Sequence, residues 1–202
     1  MARCTPAMLT DARRVLAYLN ATKHVGLRYV PHARKLYGMT DADWDVRHST
    51  MGYVFMLHSA AISWSSKKQK SVALSTCEAE IMGASEGAKE AVYLGALAEE
   101  LDAHDGSALD LFVDNKAAID LAYNPEHHQK TKHIQRRHFY VRELVEDLQI
   151  TVPFVASADN LADFFTKPLK SKQFVAMRDI IMNVAPDDES PAIAPLTLPH
   201  GG

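Results

Sequence analysis

The stretch KLYGMTDADWDVRHSTMGYVFMLHSAAISWS (35–65) holds three runs that read as strands: KLYGMTDAD (35–43), GYVFML (52–57) and AISWS (61–65). Each is bounded by turn-forming residues, and the gaps are short, which predicts an antiparallel meander. Downstream, Ser75 to Leu101 carries a long helical pattern with Cys77, Ile81, Ala84, Ala88 and Leu101 near one stripe. HDGSA (104–108) breaks it, and LDLFVD (109–114) reads as a short apolar strand. The helix NKAAIDLAY (115–123) follows and stops at Asn124-Pro125. Another helix is expected over 130–148, with Ile134, Val141, Val145 and Leu148 on its apolar stripe. ITVPFVA (150–156) reads as a last strand, and Pro153 suggests an edge. A helix from about Asp159 is interrupted at Pro168 and resumes to about Asn183. Upstream, Thr10 reads as the N-cap of a short helix that ends before Gly26. Three antiparallel strands followed by strand–helix alternation predict an α/β fold, a mixed sheet flanked by helices.

The 202 residues are 47% hydrophobic and 23% charged, ordinary globular usage that excludes a wholly disordered chain, a collagen or a coiled-coil rod. No apolar stretch approaches the ~20 residues of a membrane span, and the start, MARCTPAMLTDARR, has no apolar core of a secretory signal. Cys4 and Cys77 are too few for a disulfide framework and suit a reducing compartment, so an intracellular site, cytoplasmic or nuclear, is expected. The net charge of −3 is unevenly spread. Residues 1–40 carry seven Lys/Arg against Asp11, and residues 78–110 carry nine acids against Lys89. HHQKTKHIQRRHFYVR (127–142) holds five Lys/Arg, four His and no acid, a pattern that fits a phosphate-binding face or a merely solvated one. His133 and His138 are five apart, which is not the spacing of helical zinc ligands. The tail, APDDESPAIAPLTLPHGG, is Pro-rich and aperiodic, so residues 184–202 are expected to be disordered.

Four acids stand where carboxylates are awkward unless they serve something. Asp41 and Asp43 end the first strand on one face. Glu80 lies three residues after Cys77, on the apolar face of its helix, whereas Glu78 falls on the wet side with Ser85 and Lys89. Asp114 closes a strand at its carboxyl end, where α/β sheets present ligand sites, although it also suits an N-cap. Asp163 sits within the apolar run NLADFF. Converging carboxylates repel unless a cation joins them, and Mg²⁺ suits carboxylate-plus-phosphate sites. Spacing alone leaves that convergence open.

Several blocks are familiar: TDADW (40–44), STMGYVF (49–55), ISWSSKKQKSVALSTCEAE (62–80), DNKAAIDLA (114–122), TKHI (131–134) and DNLADFFTKPL (159–169). Over about residues 34–182 the chain resembles the ribonuclease H domain of copia-type LTR retrotransposon polyproteins. DARRVLAYLNATKHVGLRY (11–29) resembles the end of the reverse transcriptase thumb and connecting region. The resemblance implies a thumb-like helical remnant over 1–33, a ribonuclease H-like domain over 34–183 and the tail beyond. It implies a five-stranded sheet, three antiparallel strands then two parallel, with helices on both sides.

It further implies a metal-dependent endonuclease that cuts the RNA strand of RNA–DNA hybrids. Its catalytic carboxylates would be Asp41, Glu80, Asp114 and Asp163, which would hold two Mg²⁺ or Mn²⁺ ions. One ion would activate the attacking water and the other would stabilise the leaving 3′-oxygen. Lys67, Lys68 and Lys70 after the third strand, and Lys130, Lys132, Arg136 and Arg137 on the basic helix, are the expected phosphate contacts. The partners implied are the hybrid and the reverse transcriptase portion of a parent polyprotein, with no membrane. The family's pattern is departed from in a short loop, DVRH (45–48), and in VASADN (155–160), which lacks the histidine of cellular relatives. No reverse transcriptase palm motif is present, so the chain reads as a polyprotein fragment. The alternative reading is a catalytically vestigial remnant that keeps the fold and binds nucleic acid.

Overall fold

The structure, a computed structural model, describes residues 4–30, 35–45, 48–123 and 132–185. Its sheet has five strands: β1 (Tyr37–Asp43), β2 (Thr50–Leu57), β3 (Ala60–Lys68), β4 (Leu109–Phe112) and β5 (Ile150–Thr151). The strand order is β3-β2-β1-β4-β5. The first three form an antiparallel meander, and β1–β4 and β4–β5 are parallel. This is the mixed sheet expected from the sequence. The meander turns at His58 and Ser59, both in the left-handed backbone region.

The helices are α1 (Pro6–Ala21), α2 (Thr76–Glu100), α3 (Lys116–Tyr123), α4 (Lys132–Glu146), α5 (Asp163–Thr166) and α6 (Ser171–Met182). The two faces of the sheet carry separate cores. Phe55, Leu109, Leu111 and Ile150 pack with Ile81, Ala84 and Ala88 of α2 and with Val141 and Leu144 of α4. Met39, Val54 and Met56 pack with Leu161 before α5 and with Met177 and Ile181 of α6. Strand alternation assigns these side chains to opposite faces.

Several elements differ from the reading of the sequence. The N-cap of α1 is Thr5, whose hydroxyl accepts from Met8 N–H at 3.3 Å, with Pro6 at the first helical position. Thr10 lies inside that helix and donates back to the Pro6 carbonyl. The last strand keeps only Ile150 and Thr151, with one further bridge from Val113 to Phe154, because Pro153 interrupts the ladder between them. Leu148 is not part of the buried stripe of α4: the helix ends at Glu146, and Leu148 adopts a left-handed backbone and is 75% exposed. Leu144 takes its place in the core. The expected helix from Asp159 divides into a single 3-10 turn at Ser157–Asp159, then α5 and α6, separated by Pro168. The tail from residue 186 lies outside the described residues.

The chain between α1 and β1 is tied down. Arg28 N–H donates to the Met182 carbonyl at 3.0 Å, and Asn183 Nδ2 donates to the Arg28 carbonyl at 2.8 Å. Val30 N–H reaches the His58 carbonyl, and the Tyr29 hydroxyl reaches the Ala61 carbonyl. Tyr18 of α1 meets Phe174 of α6 edge-on at 5.5 Å.

Candidate metal centre

Close packing of α2 and α5 on β1 builds the site. A Cβ on Gly83 of α2 would lie 3.2 Å from the Asp41 carbonyl and 3.3 Å from Thr40 Oγ1, so this position lets the helix approach the strand closely. Glu80, one turn earlier, is thereby carried against β1. On β2, Gly52 pairs with Asp41, and a Cβ there would sit 2.9 Å from Phe165 and 3.0 Å from Thr166 Cγ2. The missing side chain makes room for α5 beside Asp41. Asn160, fully buried, fixes the approach to α5: its Nδ2 donates to the Thr40 carbonyl, and its Oδ1 accepts from Ala162 N–H.

Asp41, Glu80 and Asp114 each bring a carboxylate oxygen within 4.8 Å of the other two. Asp114 lies just beyond β4, and the helix that follows is capped by its neighbour: Asn115 Oδ1 accepts from the N–H groups of Ala117 and Ala118. Capping α3 therefore falls to Asn115, not to Asp114. Asp163, at the start of α5, is tied to this group through a lysine. Lys167 Nζ lies 2.8 Å from Asp163 Oδ1 and 3.1 Å from Asp41 Oδ1. The Thr166 hydroxyl donates to Asp41 Oδ2. Both oxygens of Asp41, which is fully buried, are thus engaged from the last residues of α5 and the one after it.

The electrostatics fit a cation. Burial pushes the Glu80 carboxyl up to about 9, and the neighbouring charges of Asp41 and Asp114 add to the effect. Asp163 is also raised, first by burial, against the opposing hydrogen bond from Lys167. Burial alone would lower the Lys167 ammonium, but the hydrogen bond to Asp163 and the charge of Asp41 outweigh it and hold it above its usual value. Glu80 is only 7% exposed, and its Oε2 has no hydrogen-bond partner. A buried carboxylate oxygen without a donor is costly, and a hard divalent cation with oxygen ligands would satisfy it. The donor set therefore fits Mg²⁺ or Mn²⁺.

Glu78 corrects the reading of the sequence. It is buried, 4% exposed, not on the wet side of α2. Its Oε2 accepts from Leu74 N–H at 2.6 Å while its own N–H donates to Ser75 Oγ, a cap of the S-x-x-E type. The motif STCE (75–78) carried that information. Lys167 was not singled out by sequence reasoning either. It lies four residues from Asp163 but 126 from Asp41, and only the fold joins them.

Among the expected phosphate contacts, Lys67 and Lys68 belong to β3 itself, and Lys70 follows it; all three are exposed. Lys67 lines a cleft with Gly52, Tyr53, Gly83, Glu86 and Glu90, a lining that includes none of the four expected carboxylates. Lys68 donates to the His48 carbonyl. Arg137 is half-buried on α4. Lys132 and Arg136 fall on the first turns of α4, but their side chains, like all of Lys130, lie outside the described residues.

No protein-family model matches the chain. The sheet order and flanking helices are those of the ribonuclease H fold. The N-terminal RNase H domain of Rv2228c from Mycobacterium tuberculosis, solved as a fusion with maltose-binding protein, superposes over 73% of this chain and 98% of its own, at a TM-score of 0.51 and 17% identity. The chain is homologous to part of the retrovirus-related Pol polyproteins of plant transposons. It is 37% identical over 171 residues to that of transposon TNT 1-94 from Nicotiana tabacum, covering 83% of this chain. It is 34% identical over 175 residues to that of transposon RE1 from Arabidopsis thaliana, covering 84%. It spans only 13% and 12% of the lengths of those two relatives.

Proposed function

We propose that the chain is a retrotransposon ribonuclease H domain that hydrolyses the RNA strand of RNA–DNA hybrids with a divalent cation. The observation that carries this reading is the trio of Asp41, Glu80 and Asp114 oxygens within 4.8 Å of one another on a ribonuclease H fold. With Asp163 they form the proposed catalytic set, which the family resemblance also assigns to two ions. Bound Mg²⁺ or Mn²⁺ would activate the attacking water and neutralise charge on the leaving oxygen.

The chain's own residues supply position. Asn160 and Gly52 fix α5 against β1, so Thr166 and Lys167 hold Asp41 in one orientation. Glu80 is kept rigid by the packing of α2 on Thr40 and Leu111 through Gly83 and Gly87. Lys67, Lys68 and Lys70 would meet phosphates beside the cleft, with Lys130, Lys132, Arg136 and Arg137 as a second basic set. Discrimination of hybrid would rest on groove shape and 2′-hydroxyls rather than on base sequence. In the proposed organisation residues 1–33 are a thumb-like remnant, 34–183 the nuclease domain and 184–202 a tail. The reverse transcriptase portion of a parent polyprotein is its proposed neighbour. No described helix is long and apolar enough to cross a membrane.

The test is cleavage of end-labelled RNA–DNA hybrid, duplex RNA and duplex DNA by the purified chain, with Mg²⁺, Mn²⁺ or EDTA. The reading expects cuts in the RNA of the hybrid alone, abolished by EDTA. A folded chain that binds hybrid without cutting it under any metal is instead the vestigial, binding-only remnant.

A further inference from the structure

We propose that Lys167 stands in one of the two cation positions of the carboxylate cluster, so that the hybrid-free chain takes a single divalent ion. The inference rests on the metal-dependent reading above and deepens it. Four carboxylates meet here, and they fall into two overlapping groups that share Asp41. The first is Asp41, Glu80 and Asp114, whose oxygens lie within 4.8 Å of one another. The buried Oε2 of Glu80 has no hydrogen-bond partner, and Lys167 touches this group only at the shared Asp41, so Glu80 itself lacks a positive partner in contact. The second is Asp41 and Asp163, whose Oδ1 atoms lie 3.1 and 2.8 Å from Lys167 Nζ. This group already has one. Asp41 bridges the two, as a carboxylate shared by two cations would.

Packing makes the lysine part of the fold rather than a passing contact. Its side chain is 33% exposed, against 1% for Asp41 and 9% for Asp163. Thr166, the preceding residue, donates to the other oxygen of Asp41. Lys167 is the C-cap of α5, and its own N–H donates to the Asp163 carbonyl at 3.1 Å. Backbone and side chain of one residue therefore both return to Asp163. A divalent ion entering between Asp41 and Asp163 would have to displace the ammonium, and like charges that close together repel strongly. An ion entering at Glu80 would not.

Calorimetric titration of the hybrid-free full chain with Mn²⁺ measures this directly. The wild type is expected to bind one ion. Lys167→Gln, which removes the charge but keeps much of the stem, is expected to bind two, and Lys167→Arg to remain at one. Circular dichroism checks that each variant is folded. A second measurement needs no variant: amine-reactive labelling followed by mass spectrometry. Lys167 is expected to stay protected relative to exposed Lys68, and saturation with Mn²⁺ is expected to leave it protected. Two ions in the wild type, one in folded Lys167→Gln, or Mn²⁺-induced labelling of Lys167 would each overturn the role of Lys167 while leaving the metal reading intact. Absence of Mn²⁺ binding in both wild type and Lys167→Gln would overturn the metal reading as well.

Discussion

Among the described residues, Lys35 and Lys167 each hold an aspartate, and their surroundings give opposite results. At the surface, Lys35 Nζ lies 2.6 Å from Asp105 Oδ2, with side chains 69% and 58% exposed. The hydrogen bond from Lys35, aided by those from Ser107, holds the Asp105 carboxyl well below the usual carboxylate range. In the carboxylate cluster, Lys167 makes the same kind of contact with Asp163, yet the Asp163 carboxyl is raised, because burial outweighs the lysine. Desolvation, not the presence of a cationic partner, decides the outcome. The surface pair is self-sufficient in water. The buried group has four acids and one lysine and calls for more positive charge.

The comparison can be broken most forcefully at Asp114. Asp114→Asn should lower hybrid cleavage by more than about 10²-fold while hybrid affinity stays similar or rises, since one repelling charge is gone. A cleavage assay paired with a binding titration checks this, and retained cleavage would remove Asp114 from the site. A second effect concerns pH. Glu80 binds its proton more tightly in the folded chain, with a value of about 9 against 4.5 for the free group. The folded state therefore binds more protons between these values, and stability in EDTA should fall as pH rises from about 5 to 9. Glu80→Gln, which mimics the protonated acid, should flatten that decline. Melting curves across the pH range decide it, and a wild type that gains stability toward pH 9 would contradict the burial argument for Glu80.

Smaller effects should follow at the periphery. Lys67→Ala should weaken hybrid binding and flatten its salt dependence by about one counterion, without changing the melting temperature. An unchanged salt slope would make Lys67 a solvated surface residue. Asp105→Ala should leave stability nearly unchanged, and any effect should shrink as salt is added. A large loss there would show that the surface pair does more than its exposure suggests.

Much of the fold was legible because each signal was local. The meander followed from short gaps between strand-like runs, and α2 from apolar residues at helical spacing. Glu80 was legible by its distance of three from Cys77, and Asp114 by its place after a strand. Besides the N-cap at Thr5, the short last strand, the divided helix after Ser157 and the exposure of Leu101, three features escape the sequence in instructive ways. Glu78 reads as surface charge from its helical face alone, whereas its role is set by its place in a cap. Periodicity alone puts Leu148 in the core, because it carries no mark of where a helix stops, yet Leu148 is exposed. Lys167 could not be paired with Asp41 from the sequence, because that contact exists only once α5 packs over Gly52. Pairings between distant elements are a property of the assembled fold.

The central claim is that the buried carboxylates form a divalent-cation site, and the melting temperature under Mg²⁺ tests it most directly. A ligand that binds only the folded state stabilises it by about 2.7 kcal/mol at 100 times its Kd. For a chain of this length that corresponds to roughly 5–10 °C. The wild type should melt higher by an amount of that order in saturating Mg²⁺ than in EDTA at matched ionic strength, and Asp114→Asn should lose most of the difference. Equal melting of the wild type in Mg²⁺ and in EDTA would contradict the account.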